Sequence, residues 1–520
     1  MLATGYQWLA RREILACAAI LGLTLGLRAT LFPWMHVPAP AIHDEFSYLL
    51  AADAYAHGRL TNPPHPFWQH FETFQELQRP TYASKYQPLQ GMVLAFGQKV
   101  FGSPWAGVYL STGVMCAAIC WMLQGWIAPD LALLGALGCV LRVGVLSYWM
   151  NSYLAGSVPA IGGALAFGAV ARIWRRRQFG HSITWAVGLS TLALSRPYDA
   201  AVVGCATASL LLWQVSLKII RGRVVLPALM VLLICAAGIA YNDYRVTGRA
   251  LTLPYQVHDG QYAVASMFMI LPLRPEPSYR HTIMRKFWAE WNVGQWVAAR
   301  SSPVSALLVK LFTIGDFFFS YWILAIPLLL WPYSLHTAEE RATVLLLVTF
   351  VVMIAPLVAI QPHYAAAFAG VFYLRFLQTL RRLWRWRLGR TQLGRVLAIS
   401  AVLMLMGDGV GMAHARDIFS RGFALRSSGF GVARAAMMYA LEKEPGRQLI
   451  LVRYAPAHDP QHEWVYNRAD IDASRVVWAR EMIPGEDGPF LEYFRDRKVW
   501  LLEPDRAPVH LVPYAREPQS

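Results

Sequence analysis

The chain has 520 residues, of which 56% are hydrophobic and only 15% are charged. At about 150 residues per domain the length suggests three or four soluble domains, but an average soluble domain carries about 25% charged residues. A soluble chain this apolar would aggregate, and a disordered one needs low hydrophobicity. The composition therefore indicates a polytopic membrane protein. The formal net charge of +16 leaves a nucleic acid or the membrane surface open as the partner.

Eleven apolar segments are predicted to cross the membrane, since a spanning helix needs about 20 mostly apolar residues. The first follows Arg11 and Arg12, has no small-residue cleavage site and is predicted to be a signal anchor. A further stretch, 88–101, is too short and contains Lys99, so we predict a helix that lies along the membrane surface. The predicted spans are 14–34, 105–126, 131–149, 153–173, 182–197, 199–217, 224–241, 306–331, 342–361, 363–380 and 395–412.

The basic residues predict the orientation of these spans. They cluster at 11–12, 172–177, 218–223 and 381–395, and all four clusters share one side only if 88–101 does not cross. Because basic loops stay in the cytoplasm, we predict a cytoplasmic N-terminus and a periplasmic C-terminus. The excess positive charge then comes largely from basic residues in the predicted cytoplasmic loops. We therefore predict no nucleic-acid partner.

The long polar segments all fall on the outer side in this topology. They are 35–104, 242–305 and 413–520. We therefore predict a membrane domain over 1–412 and a soluble periplasmic α/β domain over 413–520. Strands are predicted at 449–454, 476–480 and 499–502, and helices at 434–442 and 490–496. The segment 458–463 contains residue types that bind metals, but its spacing matches no zinc motif and predicts a polar loop.

Three ionisable residues, His43, Asp44 and Glu45, open a predicted helix just after the first span. Apolar residues recur at helical spacing at positions 46, 49, 50 and 54. Asp44 has two interpretations: a helix cap, which is the commoner use of aspartate, or a catalytic carboxylate at the membrane surface.

Other polar residues mark the outer ends of spans, on the same predicted side as Asp44. They are Asn151–Tyr153, Arg196–Asp199 and Gln361–Tyr364. Arg196 either pairs with Asp199 or binds a phosphate, and Lys85 either meets a phosphate or reaches anionic headgroups. Arg142 lies inside a predicted span, where a charge indicates a functional role.

The residues 43–48, 86–89, 151–153, 196–199 and 362–364 together resemble the GT-C class of membrane glycosyltransferases. Within that class, the chain resembles the bacterial group similar to protein O-mannosyltransferases and to aminoarabinose or lipid A sugar transferases. The resemblance covers roughly 10–412. One departure is the Gln87-Pro88 pair, where the family often has two prolines before the surface helix.

The resemblance implies a polyprenyl-phosphate sugar donor, an inverting displacement and an acceptor hydroxyl on a glycolipid, polysaccharide or protein. It implies Asp44 as general base, with Glu45 positioning the acceptor or Asp44 itself. The implied donor-phosphate ligands are Arg196, Lys85, His363 and Tyr364, and the implied supporting residues are His43, Tyr86, Asn151, Tyr153 and Asp199. No second acidic pair with metal geometry is present, so we expect neither a metal nor another cofactor. The expected location is the bacterial inner membrane.

Two other functions remain open from the residues alone. A transporter or flippase of a lipid-linked or anionic substrate would use Arg142, but transporters usually show internal repeats, and none is found here. A membrane scaffold that binds a partner through its tail would not require Asp44.

The predicted topology has a direct test. In a variant without native cysteines, Arg176→Cys should resist an impermeant thiol reagent in intact cells, because residue 176 is predicted to face the cytoplasm. Tyr439→Cys, in the predicted periplasmic domain, is the matched control and should react. Labelling at position 176 and not at 439 would show that the orientation is the opposite of the predicted one.

Overall fold

The computed structural model describes residues 2–176, 178–214, 220–319, 335–387, 389–414, 428–482, 487–506 and 509–514. Up to residue 414 the described chain is mostly helical. Its helices are α1 Leu2–Ala10, α2 Glu13–Thr30, α3 His43–Ala56, α4 Pro88–Phe101, α5 Pro104–Trp126, α6 Pro129–Cys139, α7 Ser157–Arg176, α8 His181–Ala193, α9 Pro197–Gln214, α10 Leu226–Thr247, α11 Pro254–Tyr262, α12 Thr282–Arg285, α13 Asn292–Ser301, α14 Pro303–Phe319, α15 Ala338–Ile354, α16 Ala369–Arg385 and α17 Leu393–His414.

Shorter elements lie between these helices. Strands β1 (Glu76–Leu77) and β2 (Ala83–Ser84) form an antiparallel pair after α3. The remaining helical turns are the 3₁₀ turns Trp68–Phe71 and Pro362–Phe368 and the π turns Val140–Val145, Ile220–Val225 and Lys286–Trp291.

A helix occurs at each of the eleven predicted spans, but most are shorter than a full span. Four described helices, α2, α5, α7 and the one that ends at Thr247, are long and apolar enough to cross a membrane. The bent pair 282–301 and 303–319, with an angle of 107°, gives a fifth if it counts as one span. Part of the predicted span 306–331 lies outside the described residues. The count of eleven therefore stays a prediction.

Two buried cations mark where predicted spans depart from a regular helix. Arg142 lies in the π turn after α6 and donates to the carbonyls of Asp316 and Phe317 in α14 at 2.6 and 2.8 Å. Lys310 donates to the carbonyls of Ile354 and Ala355, both at 3.3 Å, at the end of α15. At the end of α15, Lys310 thus satisfies carbonyls that have no partner within the helix. Arg142 thus has a structural use that requires no substrate pathway.

Helix α4 has the bounds predicted for the surface helix, Pro88–Phe101. It packs so closely on its neighbours that side chains are excluded: a Cβ at Gly91 would lie 2.7 Å from Ala51 Cβ of α3. A Cβ at Gly107 of α5 would lie 2.1 Å from the Val93 carbonyl oxygen. The opposite face exposes Phe96 and other apolar residues, as a helix at a membrane surface does. Its position in the bilayer stays a prediction.

The tail is the small α/β unit that its pattern predicts. Its helices are α18 Ser428–Lys443 and α19 Asp487–Tyr493, and its strands are β3 Arg447–Val452, β4 Val476–Arg480, β5 Arg497–Glu503 and β6 His510–Pro513. The strand order is β4-β3-β5-β6, with β3 parallel to both neighbours and β6 antiparallel to β5. The predicted boundary at 413 is followed by 415–427, which lies outside the described residues.

The tail packs directly on the polar segment 35–104. Leu50, Ala54 and Phe71 share one buried cluster with strand residues Leu449 and Leu451. Two histidine–aspartate contacts cross the same boundary, namely His65 Nε2 to Asp472 at 3.2 Å and His70 Nε2 to Asp487 at 3.1 Å. Helix α3 is therefore covered by the tail as well as by α4.

Candidate active site

The first turn of α3 is fixed by Glu45. Its Oε2 accepts hydrogen bonds from the amides of Ala41 at 2.9 Å and Ile42 at 3.1 Å, and its Oε1 accepts from the Tyr153 amide at 2.9 Å. The first two bonds cap the helix, since the opening amides of a helix have no partner within it. The third ties α3 to the turn before α7. Glu45, and not Asp44, therefore supplies the helix cap.

Asp44 is left free to point elsewhere. Its Oδ1 accepts a hydrogen bond from the Tyr86 hydroxyl at 2.5 Å. Tyr86 is placed by β2, because the Ser84 hydroxyl accepts from the Tyr86 amide at 3.1 Å and lies 2.7 Å from the Ser47 hydroxyl of α3. Ser47 also donates to the Gln75 carbonyl at 2.6 Å. This chain of bonds holds the Tyr86 phenol opposite the first turn of α3.

Lys85 brings a buried positive charge beside this pair. Its Nζ lies 5.6, 5.1 and 5.4 Å from the ring centroids of Tyr86, Tyr255 and Trp288. Aromatic faces stabilise a cation that has lost water. Burial lowers the pKa of Lys85, while the charges of Asp259 and Asp44 raise it.

Arg196 supplies a second cation, from the junction of α8 and α9. Its Cζ lies 4.2 Å above the Tyr364 ring, and its Nη1 lies 3.9 Å from Asp199 Oδ2. The junction is held to α4 because the Leu89 amide donates to the Leu194 carbonyl at 3.0 Å. The ion pair with Asp199 is thus present, and its 3.9 Å separation is the outer limit for such a contact.

The charges of these residues act on one another. Burial raises the pKa of Asp44, and the Tyr86 hydrogen bond and the charges of Lys85 and Arg196 oppose that shift. Asp44, Tyr86 and Arg196 are each only partly buried, so the group they form opens to the surroundings. A carboxylate with a raised pKa beside two cations is suited to taking a proton next to an anion.

His363 and Tyr364 lie on a rigid turn at the same site. The Tyr148 hydroxyl accepts from the His363 amide at 2.9 Å and lies 2.9 Å from its Nδ1. Helix α7 supports the turn from behind, because a Cβ at Gly163 would lie 1.8 Å from the Ala367 carbonyl oxygen. Tyr364 is thereby held under Arg196, and His363 is buried against Tyr148.

Three aromatic residues of the site carried no assigned role at the sequence level. Tyr48 stacks on Tyr86 with ring centroids 4.5 Å apart, Tyr255 meets Tyr86 edge-on at 5.3 Å, and Trp288 lies near Lys85. Tyr48 is four residues after Asp44 and so shares its helix face, a spacing that could have identified it. Tyr255 and Trp288 come from the second outer segment, and only folding brings them to this place.

The predicted supporting residues Asn151, Tyr153 and His43 have side-chain hydrogen-bond partners other than Asp44. Asn151 Oδ1 accepts from Arg28 Nε at 3.1 Å, and the Tyr153 hydroxyl donates to the Pro38 carbonyl at 3.1 Å. His43 Nδ1 lies 2.8 Å from the hydroxyl of Tyr466 in the tail, and burial lowers its pKa to about 3. His43 is therefore neutral and faces the tail.

The polar loop of the tail uses its metal-ligand residue types for internal contacts. His458 Nδ1 lies 2.6 Å from Asp505 Oδ1, and its Nε2 lies 3.1 Å from the His462 carbonyl. Glu463 is buried against Arg480, with 2.6 Å between Oε2 and Nη2. Within the described residues, no group of three or more His, Cys, Asp or Glu side chains is arranged to hold a metal ion.

Comparison with solved structures places this arrangement in a known fold. ArnT from Cupriavidus metallidurans bound to undecaprenyl phosphate superposes with a TM-score of 0.52 at 11% identity, covering 92% of both chains. The Archaeoglobus fulgidus oligosaccharyltransferase with a tethered acceptor peptide superposes with a TM-score of 0.50 at 10% identity. That match covers 84% of this chain and 62% of the archaeal one, so this chain spans less than two thirds of that protein.

The same archaeal enzyme in complex with Zn and sulfate gives a TM-score of 0.52 at 11% identity, covering 93% of this chain and 67% of that one. No family model and no curated protein sequence matches the chain. The fold is therefore that of the GT-C membrane glycosyltransferases, which confirms the resemblance seen in the sequence at the level of the fold. At these identities the likeness is one of fold alone, so function must be argued from the site.

The cap at α3 predicts a large loss of stability in Glu45→Ala. Three amides would lose their acceptor, and each buried amide without a partner costs about 1–3 kcal/mol, so we expect a loss of about 2 kcal/mol or more. Thermal unfolding in detergent measures it. Glu492→Ala is the matched control, because Glu492 is 67% exposed and an exposed ion pair adds about 0–1 kcal/mol. Equal unfolding midpoints for the two variants would contradict the capping role.

Proposed function

We propose that this chain is an integral-membrane glycosyltransferase of the bacterial inner membrane. It moves a sugar from a polyprenyl-phosphate donor to an acceptor hydroxyl on the periplasmic side. One observation carries the proposal: Tyr86 donates to the partly accessible carboxylate of Asp44 and lies beside Lys85, and the charges of Lys85 and Arg196 both act on that carboxylate. The bound undecaprenyl phosphate in the ArnT structure of the same fold supports a lipid-phosphate donor.

Asp44 is the proposed general base. The acceptor oxygen attacks the anomeric carbon, its proton passes to a carboxylate oxygen of Asp44, and the bond from that carbon to the phosphate oxygen breaks. The lipid phosphate leaves with the electron pair, and the configuration at the anomeric carbon inverts. The raised pKa of Asp44 makes it a stronger base than an exposed aspartate. The hydrogen bond from Tyr86 opposes the rise in pKa and so favours the ionised form of Asp44.

Arg196 and Lys85 are the proposed ligands of the donor phosphate. The negative charge on the leaving phosphate grows in the transition state, and fixed cations stabilise it best where water is scarce. The guanidinium of Arg196 can donate two parallel hydrogen bonds to a phosphate, and its long contact with Asp199 leaves it able to do so. Tyr364 and His363 complete the phosphate site from the rigid turn.

Glu45 acts by position and not by contact with the acceptor. Both of its carboxylate oxygens already accept backbone hydrogen bonds, so of its two predicted roles the one that fits is holding Asp44 in place. Tyr48, Tyr255 and Trp288 supply the aromatic surface of the site. The sugar, hexosyl or pentosyl, and the acceptor, a glycolipid, polysaccharide or protein, are to be identified by assay with a panel of polyprenyl-phosphate sugars and membrane glycolipids.

Two variants separate chemistry from donor binding. Asp44→Asn keeps the size of the side chain but removes the base, so sugar transfer should fall at least about 100-fold while binding of undecaprenyl phosphate is retained. Arg196→Ala should weaken that binding at least about 10-fold. Transfer is followed with radiolabelled donor, and binding by isothermal titration in detergent.

Asp496→Asn is the control, since Asp496 is exposed in the tail and pairs only with Arg447 among its described ion-pair contacts. It should transfer sugar at the wild-type rate. Wild-type activity in Asp44→Asn would refute the role of Asp44 as general base. Unchanged lipid binding in Arg196→Ala would refute the role of Arg196 as a ligand of the donor phosphate.

We also propose that transfer needs no divalent metal. Lys85 and Arg196 already provide positive charge beside the leaving phosphate, which is the service a metal would otherwise give. Treatment of the purified enzyme with EDTA should leave the transfer rate unchanged. Loss of activity with EDTA, restored by one added divalent ion, would overturn this point and leave Asp44 as base.

A further inference from the structure

Helix α3 presents two different faces to two different parts of the protein. At 100° per residue, Asp44 and Tyr48 point to one side, where they meet Tyr86. His43, Phe46 and Leu50 point to another side, and all of them meet the tail. The helix that carries the proposed base is therefore held from behind by the C-terminal domain.

One tail residue contacts α3 on both sides of Asp44. The Tyr466 hydroxyl lies 2.8 Å from Nδ1 of His43, the residue before Asp44. The Tyr466 ring stacks on Phe46, two residues after Asp44, with centroids 4.2 Å apart and planes at 3°. All three side chains are buried, with at most 7% exposed. A buried stacked pair and a hydrogen bond together restrict both the rotation and the axial position of the helix.

Tyr466 is itself fixed within the tail. Arg434 of α18 donates to the Tyr466 carbonyl at 2.8 Å and to the Trp464 carbonyl at 3.2 Å. The Arg434 guanidinium also lies 4.6 Å from the Phe46 ring centroid, so Phe46 is enclosed between Arg434 and Tyr466.

A second contact holds the other end of the helix. Asp53 Oδ2 accepts from the Ala469 amide at 2.9 Å, and its Oδ1 accepts from Gln98 Nε2 of α4 at 3.0 Å. The tail segment 464–469 thus follows α3 from its first turn to its last.

We propose that the C-terminal domain is part of the transfer site, and that Tyr466 is a positioning residue that sets the place of Asp44 through His43 and Phe46. The inference rests on the proposed function, since it concerns the base of that reaction. A proton is transferred efficiently only when the base lies within hydrogen-bond reach of the attacking hydroxyl. A small rotation of α3 would also lengthen the 2.5 Å bond between Tyr86 and Asp44.

The test compares Tyr466→Phe and Tyr466→Ala in the full-length protein. The phenylalanine variant keeps the stack on Phe46 and loses the hydroxyl that contacts His43, so kcat should fall about 3- to 10-fold. The alanine variant loses both contacts, and kcat should fall about 10- to 100-fold, as for a misplaced catalytic group. KM for the donor should stay within about two-fold of wild type, because the proposed phosphate ligands do not contact Tyr466.

The pH profile separates positioning from loss of folded protein. Tyr86→Phe removes the hydrogen bond that favours the ionised form of Asp44, so the pKa of Asp44 rises and the acidic limb of kcat moves to higher pH. Tyr466→Ala should move the limb in the same direction. Tyr439→Ala, at an exposed position of α18, is the control and should leave kcat and the limb unchanged.

Two results would overturn the proposal. One is wild-type kcat per folded molecule in Tyr466→Ala. The other is a lower kcat in Tyr466→Ala while the acidic limb of its pH profile stays at the wild-type pH, which would show a loss of folded enzyme only. If the wild-type protein transfers no sugar from any donor, the proposed function fails. Amide hydrogen exchange over 43–56 then tests separately whether Tyr466 holds α3 in place. Faster exchange in Tyr466→Ala than in Tyr439→Ala supports it, and equal exchange refutes it.

Discussion

The three hydrogen bonds that Glu45 accepts from backbone amides determine where α3 begins. Because they cap the helix, Asp44 does not have to, and its carboxylate turns to Tyr86 instead. One of the same bonds fastens the helix to the turn at Tyr153, just before α7. Two adjacent carboxylates of similar chemistry thereby have different uses, one in holding the backbone and one in the site.

The site depends on charged side chains that lie where water is scarce and that stabilise one another. Burial by itself favours the protonated form of a carboxylate and the neutral form of a lysine. Lys85 and Arg196 favour the charged form of Asp44, and Asp44 in turn favours that of Lys85. Such a group is costly to build and is found where charge is used. In the proposed transfer reaction, these two cations stabilise the negative charge that grows on the leaving phosphate.

The polar segments 35–104 and 242–305 pack together with the tail. Helix α3 is covered by α4, by the segment 242–305 through Phe287 near His43, and by the tail through Tyr466. Sequence reasoning could predict the tail as an α/β unit, because strand and helix patterns are local. It could not predict that Tyr466 lies on His43, 423 residues away, because no local pattern encodes which face of a helix meets a distant loop.

The sequence by itself determined the membrane class, the helix at each predicted span and the helix over 88–101, and it predicted the short list of site residues that contains Asp44, Lys85, Arg196 and Tyr364. These follow from hydropathy, helical spacing and charged residues beside apolar runs, all of which are local properties. Only the tertiary structure decided that Glu45 caps the helix, that Tyr86 donates to Asp44, and that Asn151 and Tyr153 support the backbone. Those roles depend on which hydrogen-bond partners lie within about 3 Å after folding, and that distance is set by the packing of elements far apart in the chain.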